Sequence, residues 1–259
     1  MSAAAHNTRR FVLAALAGAG AAGQARASAP VTMLAAASLQ TALDGIAGLW
    51  RARGGAARLV YAASGALVRQ LEQGAPADIL ATADLEWMAQ AEARGLVRPR
   101  SRVLIAGNRL ALIAGPDGPA RLRIAPGFGL AAALDGGRLA TADPASVPLG
   151  RYARAALTRL GIWDAVAPRI APADTARTAL ALVARGEAPL GVVYATDARS
   201  EPRVRVLDVF PADSHPPIIY PAALTVRAGP DAGRFLAFTT GAAARTVWDR
   251  FGFIRPGAA

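Results

Sequence analysis

Short apolar strands alternate with amphipathic helices along most of this chain, and this alternation limits the possible folds more than any other feature. An apolar run at 31–34 is followed by residues that recur at helical spacing on one face, namely Leu39, Leu43, Ile46 and Leu49. The same unit returns at 57–74 and 77–95, and a second set lies between positions 138 and 194. Strands that alternate with helices form parallel sheets through right-handed crossovers, so the sequence predicts an α/β fold.

Two serines stand where a predicted strand ends and a predicted helix begins. Ser38 follows the first apolar run in the N-cap position, and Ser64 follows a strand that ends near Ala62. The unpaired N–H groups and the positive dipole end of a helix start favour anions. Ligands of such sheets also gather at the carboxyl ends of the strands. The two turns therefore predict an anion-binding site at the carboxyl edge of the sheet.

Two long extended segments interrupt the alternation and divide the chain. The segments at 103–116 and 204–226 are too punctuated for helices, and each is long enough to pass from one sheet to another. We predict a two-lobed α/β fold in which each lobe has a mostly parallel sheet flanked by helices. The first lobe is discontinuous, at 30–106 and 218–259, and the second lies at 107–217. Two crossing segments between lobes suit hinge closure around a ligand.

Residues 1–29 have the pattern of an export signal. Arg9 and Arg10 precede the apolar run at 11–22, and small residues predict cleavage near Ala27. The basic pair suits the twin-arginine route as well as an ordinary signal peptide, and both stay open. No other segment has the roughly 18 uninterrupted apolar residues of a membrane helix. We expect a periplasmic protein.

The basic charge of the chain is spread rather than clustered. The formal net charge of +11 falls to +8 when Arg9, Arg10 and Arg26 leave with the signal, which contains no acidic residue. The remaining arginines form no tract and alternate with no aromatic ladder, so we expect no nucleic-acid partner. The absence of cysteine excludes disulfides, thiolate catalysis and Cys-ligated metals.

A set of motifs, in order and at near-constant spacing, resembles one known family. The motifs include "AAASL", "GAPADIL", "GGRLATADPASVPLGRYARAAL", "APADTARTALALVARGEAPLGVVYATDA" and the ending "RFGF". Between about Val31 and Phe253 the chain is similar to the periplasmic molybdate-binding proteins of bacterial ABC transporters. Each fragment alone is weak evidence, and the ordered set is strong evidence.

The resemblance implies a two-lobed periplasmic-binding-protein fold that closes on molybdate or tungstate and delivers it to a membrane permease. In the family, two serine hydroxyls, two backbone amides and one tyrosine bind the oxyanion. Carried onto this chain, these contacts fall on Ser38, Ser64, the amides of Leu149 and Ala176, and Tyr194. The resemblance also implies a monomer without a cofactor and without direct metal-ion ligands. Leu149 departs from the small residue often seen at its position.

Elementary chemistry agrees with a site built from neutral donors. The oxygens of a molybdate-like dianion only accept hydrogen bonds, so a matched site needs donors and lacks unpaired carboxylates. We therefore predict that Asp174 caps the helix that begins at Thr175 and points away from the cleft. Other acidic residues near turns are expected in capping or turn roles, and these are Asp78, Asp84 and Asp143. Helical patterns predict packing roles for Trp50, Trp87, Trp163 and Trp248.

Three other functions remain as alternatives. A serine hydrolase would use Ser38 or Ser64 with His215 as the base, yet neither serine lies in a G-x-S-x-G motif. A binding protein for sulfate or another oxyanion keeps the class and changes the cargo. A sensor module would need a DNA-binding segment, and we find no helix-turn-helix pattern beside the lobes.

Overall fold

The structure is a computed structural model, and it describes residues 29–256. In chain order the strands are β1 (Val31–Ala36), β2 (Ala57–Ala62), β3 (Ile79–Ala81), β4 (Val103–Asn108), β5 (Leu110–Ala114), β6 (Leu139–Ala142), β7 (Ile170–Ala173), β8 (Leu190–Tyr194), β9 (Arg205–Val209) and β10 (Ile218–Leu224). The α-helices are α1 (Gln40–Arg51), α2 (Ser64–Glu72), α3 (Leu85–Ala93), α4 (Leu130–Ala133), α5 (Pro148–Arg159), α6 (Trp163–Val166), α7 (Ala176–Ala184), α8 (Ala195–Arg199), α9 (Ala232–Thr240) and α10 (Ala242–Arg250). Short 3-10 turns lie at 37–39, 167–169 and 212–214.

The strands form two five-stranded sheets with corresponding orders. The first sheet has the order β2-β1-β3-β10-β4, and the second has the order β7-β6-β8-β5-β9. In each sheet three strands from successive strand–helix units are parallel, and the other two pairings are antiparallel. The sheets are therefore mixed, where the sequence predicts mostly parallel ones. The difference arises at β5 and β10, the strands that follow the two crossings between the sheets. β5 is antiparallel to both of its neighbours in the second sheet, and β10 is antiparallel to both of its neighbours in the first.

The chain passes between the sheets at two places. β4 ends in the first sheet at Asn108, and β5 begins in the second sheet after the single residue Arg109. The chain returns from β9 of the second sheet to β10 of the first. The predicted lobes, at 30–106 with 218–259 and at 107–217, stay a prediction, and residues 107 and 108 still pair with β10 in the first sheet.

Helix α1 places an apolar face against the first sheet. Leu43 and Ile46 are fully buried, and Trp50 packs on Phe235 of α9 with ring centroids 5.6 Å apart. Each fully buried leucine or isoleucine contributes about 1.5–3 kcal/mol to folding. The sequence analysis assigns Leu49 to this face, but its side chain is 38% exposed. Ile46 follows Leu43 by three residues and Trp50 follows Ile46 by four, which is the spacing of one helix face, so Trp50 completes the buried face instead.

Side chains cap the starts of two helices near the carboxyl edges of the sheets. At α3, Asp84 accepts a hydrogen bond from the N–H of Trp87 at 2.8 Å, in the predicted capping role. At α7 the cap is Thr175, whose Oγ1 accepts from the N–H of Thr178 at 3.1 Å. The predicted cap at Asp174 is therefore wrong. The helix begins one residue later than predicted, and the capping position moves with it.

No helix within residues 29–256 is long and apolar enough to cross a membrane. The longest, α1 and α5, have 12 residues each. The predicted export signal, with its cleavage near Ala27, lies outside the described residues.

Candidate functional site

A small cavity lies between the lobes, where the carboxyl ends of the parallel strands of both sheets meet. The volume open to the centre of a water-sized sphere is about 20 Å³, and a single water needs about 10–15 Å³ by the same measure. By this measure the cavity suits a compact ligand of a few heavy atoms. Its lining residues are Ala36, Ala37, Ser38, Ala62, Ala63, Ser64, Ala83, Val147, Pro148, Leu149, Thr175, Ala176 and Tyr194.

Ser38 and Ser64 line the cavity from the first lobe, and both are almost fully buried. Ser64 is the first residue of α2, as the sequence predicts. Ser38, however, lies in the 3-10 turn at 37–39, and the N-cap of α1 is Leu39. The predicted N-cap position of Ser38 is therefore wrong. Strand β1 runs two residues further than predicted, so a tight turn separates it from the helix.

The protein orients the hydroxyl group of Ser64. Its Oγ accepts a hydrogen bond from the backbone N–H of Ala83 at 2.9 Å. A serine hydroxyl carries one hydrogen, and this contact leaves that hydrogen free to be donated. Gly65 allows Trp87 to lie over the start of α2, because an added Cβ at Gly65 would lie 2.6 Å from the indole ring. Ser64 is thus held as a donor toward the cavity.

The second lobe contributes the starts of two helices. Leu149 is the second residue of α5, and Ala176 is the first residue of α7. N–H groups in a first helical turn have no carbonyl partner within the helix, and they lie at its positive dipole end. Gly150 lets α5 begin close to β6, because a Cβ there would lie 2.2 Å from the carbonyl oxygen of Ala142. The two helix starts can therefore supply amide donors.

The hydroxyl group of Tyr194 has no hydrogen-bond partner within the described part of the chain. Tyr194 ends β8, is 1% exposed and lines the cavity. Burial raises the pKa of its phenol well above the usual value, so the group keeps its proton and stays a donor. A buried unpaired hydroxyl costs about 1–3 kcal/mol. The hydroxyl group can therefore donate to an acceptor that enters the cavity.

The 13 residues that line the cavity are all uncharged. Asp174 is exposed and is not among them, but together with Asp143 it lines a wider pocket between the lobes beside the cavity, contrary to the prediction that it points away from the cleft. Asp143 also lies outside the lining and accepts hydrogen bonds from Ser146 and from the N–H of Ala145 in a local turn. Among residues 29–256 there is no group of three or more metal-ligating side chains. The site thus suits a ligand that only accepts hydrogen bonds.

Residues 31–254 match the family of bacterial extracellular solute-binding proteins. The chain belongs to this family. It is 39% identical over 232 residues to the molybdate-binding protein ModA of Escherichia coli, which covers 86% of this chain and 88% of that protein. It is 40% identical over 231 residues to the molybdate-binding protein ModA of Haemophilus influenzae, with 88% and 91% covered. The resemblance to molybdate-binding proteins is therefore confirmed.

A solved structure of similar shape is the periplasmic molybdate-binding protein of Azotobacter vinelandii. The TM-score is 0.76 at 23% identity, and the match covers 87% of this chain and 99% of that one. At this identity the likeness bears on the fold, and the predicted two-lobed periplasmic-binding-protein fold is confirmed.

Sequence reasoning misses the polar contacts that join the two lobes of this solute-binding protein. Arg151 of α5 pairs with Asp84 and, at 2.6 Å, with Glu86 of the first lobe. The indole N–H of Trp87 donates to the carbonyl of Ser146 across the cleft at 3.2 Å. The prediction of a packing role for Trp87 is therefore incomplete. These contacts connect residues about 60 positions apart, which periodicity does not report.

Arg177 makes a further contact between the lobes. Its guanidinium donates to Thr41 Oγ1 of α1 at 2.5 Å and pairs with Asp197 of α8 at 3.0 Å. Burial raises the pKa of Asp197 to about 7, and the arginine opposes part of that rise. Arg177 lies in the first turn of α7, where the helix dipole disfavours a cation. An arginine in this unfavourable position is a sequence signal that could have indicated a tertiary partner for Arg177.

The structure separates His215 from the serines of the cavity. His215 is not among the lining residues, and its Nδ1 lies 2.8 Å from the carbonyl oxygen of Pro216. Its ring instead stands edge-on to Tyr152, with centroids 6.1 Å apart. Burial lowers the pKa of the imidazole. The arrangement gives neither Ser38 nor Ser64 a histidine base in the cavity.

Proposed function

We propose that this protein is an exported substrate-binding protein that captures molybdate or tungstate between its lobes and delivers it to an ABC permease. The observation that carries the proposal is the cavity of about 20 Å³ whose lining is uncharged and includes the hydroxyl groups of Ser38, Ser64 and Tyr194. The named function of the curated relatives, molybdate binding, supports the same cargo.

Five residues form the proposed oxyanion site. Ser38 and Ser64 donate from their hydroxyl groups, Leu149 and Ala176 from their backbone amides, and Tyr194 from its phenol. The unpaired hydroxyl of Tyr194 supports this assignment, because an anion in the cavity would give it an acceptor. The ion itself is bound through its oxygens, so the site needs no direct metal ligand and no cofactor.

The energies require donors from both lobes. Moving an anion out of water costs several kcal/mol even after relaxation, and a hydrogen bond to a charged group contributes about 1.5–3 kcal/mol. Several such bonds must therefore converge, and the two serines of the first lobe do not supply them alone. Closure completes the coordination, and the permease would recognise the closed form.

Size and protonation distinguish molybdate from other oxyanions. Tungstate has nearly the same size and charge, so the same donors should hold both ions. Sulfate is smaller, and a rigid cage set to the larger ion would stretch its hydrogen bonds. Phosphate at neutral pH carries a proton that needs an acceptor, and the lining contains no carboxylate to accept it.

Calorimetric titration of the mature protein with molybdate, tungstate, sulfate and phosphate tests the cargo. We expect tight binding of molybdate and tungstate, and weak or no binding of sulfate and phosphate. Tight binding of sulfate without molybdate would overturn the assignment and favour a sulfate-binding protein.

We also propose that the protein is not an enzyme, acts in the periplasm and works as a monomer. His215→Ala separates a binding protein from a serine hydrolase, because His215 lies outside the cavity. We expect the variant to bind molybdate like the parent. Cell fractionation and the mass of the mature chain in solution test the location and the oligomeric state. A membrane-bound or cytoplasmic mature form, or a stable dimer, would contradict these parts.

A further inference from the structure

One arginine of the second lobe reaches across to the first lobe near the cavity. The guanidinium of Arg177, in the first turn of α7, donates from one terminal nitrogen to Thr41 Oγ1 of α1 at 2.5 Å. Its other terminal nitrogen donates to Ser200 Oγ at 3.0 Å, and its Nε lies 3.0 Å from a carboxylate oxygen of Asp197. Each nitrogen of the guanidinium thus has a polar neighbour, and of these three neighbours Thr41 is the one in the first lobe.

The two partners in the second lobe hold the arginine in place. Asp197 is fully buried in α8, so its carboxylate gives the cation a fixed neighbour. Ser200 donates its own hydrogen to the carbonyl of Asp197 at 2.8 Å, which leaves its oxygen to accept from Arg177. A guanidinium is planar, so two held nitrogens fix the direction of the third. The hydrogen bond to Thr41 therefore forms from an arginine that is already oriented, and little side-chain entropy is lost when the lobes close.

The groups that Arg177 joins stand next to residues of the proposed oxyanion site. Thr41 lies three residues after Ser38, and Arg177 itself directly follows Ala176. Helix α8, which anchors the arginine, begins directly after Tyr194. One guanidinium therefore connects the segments that bear three of the five proposed ligand residues.

We propose that Arg177 is a positioning residue whose hydrogen bond to Thr41 keeps the turn of Ser38 and the start of α7 together around the bound oxyanion and slows its release. The inference rests on the proposed function and adds two residues that do not line the cavity. Separation of the lobes, which opens the site, must break the bond between Arg177 and Thr41. The bond therefore acts on the dissociation of the ion rather than on its first encounter with the protein.

Thr41→Val tests this bond with little change of shape, because valine replaces the hydroxyl by a methyl group. We expect the dissociation rate of molybdate to rise about 3- to 10-fold, the effect of one ordinary hydrogen bond. The association rate should change by less than about 2-fold. Stopped-flow tryptophan fluorescence measures both rates.

Two further variants separate the hydroxyl from the side chain that carries it. Thr41→Ser keeps the hydroxyl and should release molybdate as slowly as the parent. Thr246→Val makes the matched change on the exposed side of α10, where the threonine hydroxyl donates to the carbonyl of Ala243 at 2.8 Å. It should also behave like the parent. Equal dissociation rates of Thr41→Val and Thr41→Ser would refute the role of the hydroxyl.

A double-mutant cycle shows whether Thr41 acts through Arg177. In an Arg177→Met background, adding Thr41→Val should change the dissociation rate by less than about 2-fold, because the bond is already absent. The background also carries Asp197→Asn, so that no buried carboxylate is left without its cation. An equal increase in both backgrounds would overturn the proposal. If the background variant does not fold, the comparison of Thr41→Val with Thr41→Ser decides the question.

The parent is titrated first with molybdate, tungstate, sulfate and phosphate, and the kinetic measurements use the ion that binds most tightly. If the parent binds none of the four, the proposed function and this inference fail together. If the parent binds one of them and Thr41→Val releases it at the parental rate, only the positioning role fails.

Discussion

Arg151 of the second lobe forms an ion pair with Asp84 of the first, and the same carboxylate caps helix α3 through the N–H of Trp87. Arg151 lies two residues after Leu149, whose amide is proposed to bind the ligand. The contact that joins the lobes and the proposed amide donor thus belong to the same first turn of one helix. We therefore expect closure of the lobes and completion of the proposed site to be coupled through α5.

Arg151→Ala should weaken molybdate binding by about 1–2 kcal/mol, although Arg151 does not line the cavity. The arginine and aspartate side chains are only 24% and 9% exposed, so their pairing lies between the exposed and buried cases. The loss should appear as faster dissociation in stopped-flow measurements, because the pair stabilises the closed form. Arg154→Ala on the same helix is the control, since Arg154 stacks on Trp163 within its own lobe. An unchanged dissociation rate for Arg151→Ala would refute the coupling.

Ser38→Ala and Ser64→Ala should each weaken molybdate binding by about 1–3 kcal/mol, through loss of a donor facing a buried charge. Calorimetry of the mature variants measures the change. Ser101→Ala serves as the control, because its hydroxyl donates to the carbonyl of Arg98 away from the cavity. If both cavity variants bind molybdate as tightly as the parent, these serines have only structural roles.

Tyr194→Phe should affect the free and the liganded protein differently. The phenol has no partner within the described residues, so its removal should leave the melting temperature of the free protein unchanged or slightly higher. The rise in melting temperature on adding saturating molybdate should shrink, because the variant loses a donor to the ion. Scanning calorimetry with and without molybdate checks both parts. A lower melting temperature of the free variant with a full ligand-induced rise would contradict the assignment.

Gly150→Ala should disrupt the second-lobe half of the site. An added Cβ would lie 2.2 Å from the carbonyl oxygen of Ala142 and 2.4 Å from that of Asp143, so the start of α5 must move away from β6. We expect a loss of about 1–3 kcal/mol in the free energy of unfolding together with weaker molybdate binding.

Gly48→Ala supplies the matched control for that substitution. Gly48 lies inside α1 with no atom within 4 Å of an added Cβ, so alanine there should stabilise the protein by about 0.5–1 kcal/mol. Urea unfolding measures both variants. Equal effects of the two substitutions would contradict the close approach of α5 to β6.

Asp197→Asn should flatten the dependence of stability on pH. Burial raises the pKa of Asp197 to about 7 in the folded chain, and an unfolded aspartate titrates near about 4. Between these values the folded state holds a proton that the unfolded state has released. The contribution of this group to stability therefore falls as pH rises from about 4 to about 7, and it is constant above that.

Urea unfolding of parent and Asp197→Asn at pH 5, 6, 7 and 8 tests this sign. The parent should lose stability relative to the variant between about pH 5 and 7. Asp164→Asn, on the exposed side of α6, is the control, and its free energy of unfolding should depend on pH in the same way as that of the parent. A parent that gains stability relative to Asp197→Asn over this range would show that the Arg177 pair outweighs burial.

The sequence alone determined the order of the elements and the turns that bear the proposed donors. Apolar periodicity repeats within a few residues, so it located Ser64 at the start of α2 and Leu149 and Ala176 near the starts of α5 and α7. It erred where a boundary shifted by one or two residues, as at Ser38 and at the cap of α7.

The tertiary structure decided what those turns face and what orients them. Tyr220 and Asn108 are 112 residues apart, and Arg177 and Thr41 are 136 residues apart. Local periodicity carries no information about such pairs, because they form only when the crossing segments bring the two sheets together. The hydroxyl of Ser64 is likewise oriented by the N–H of Ala83, 19 positions away, so its donor character in the cavity follows from the folded chain.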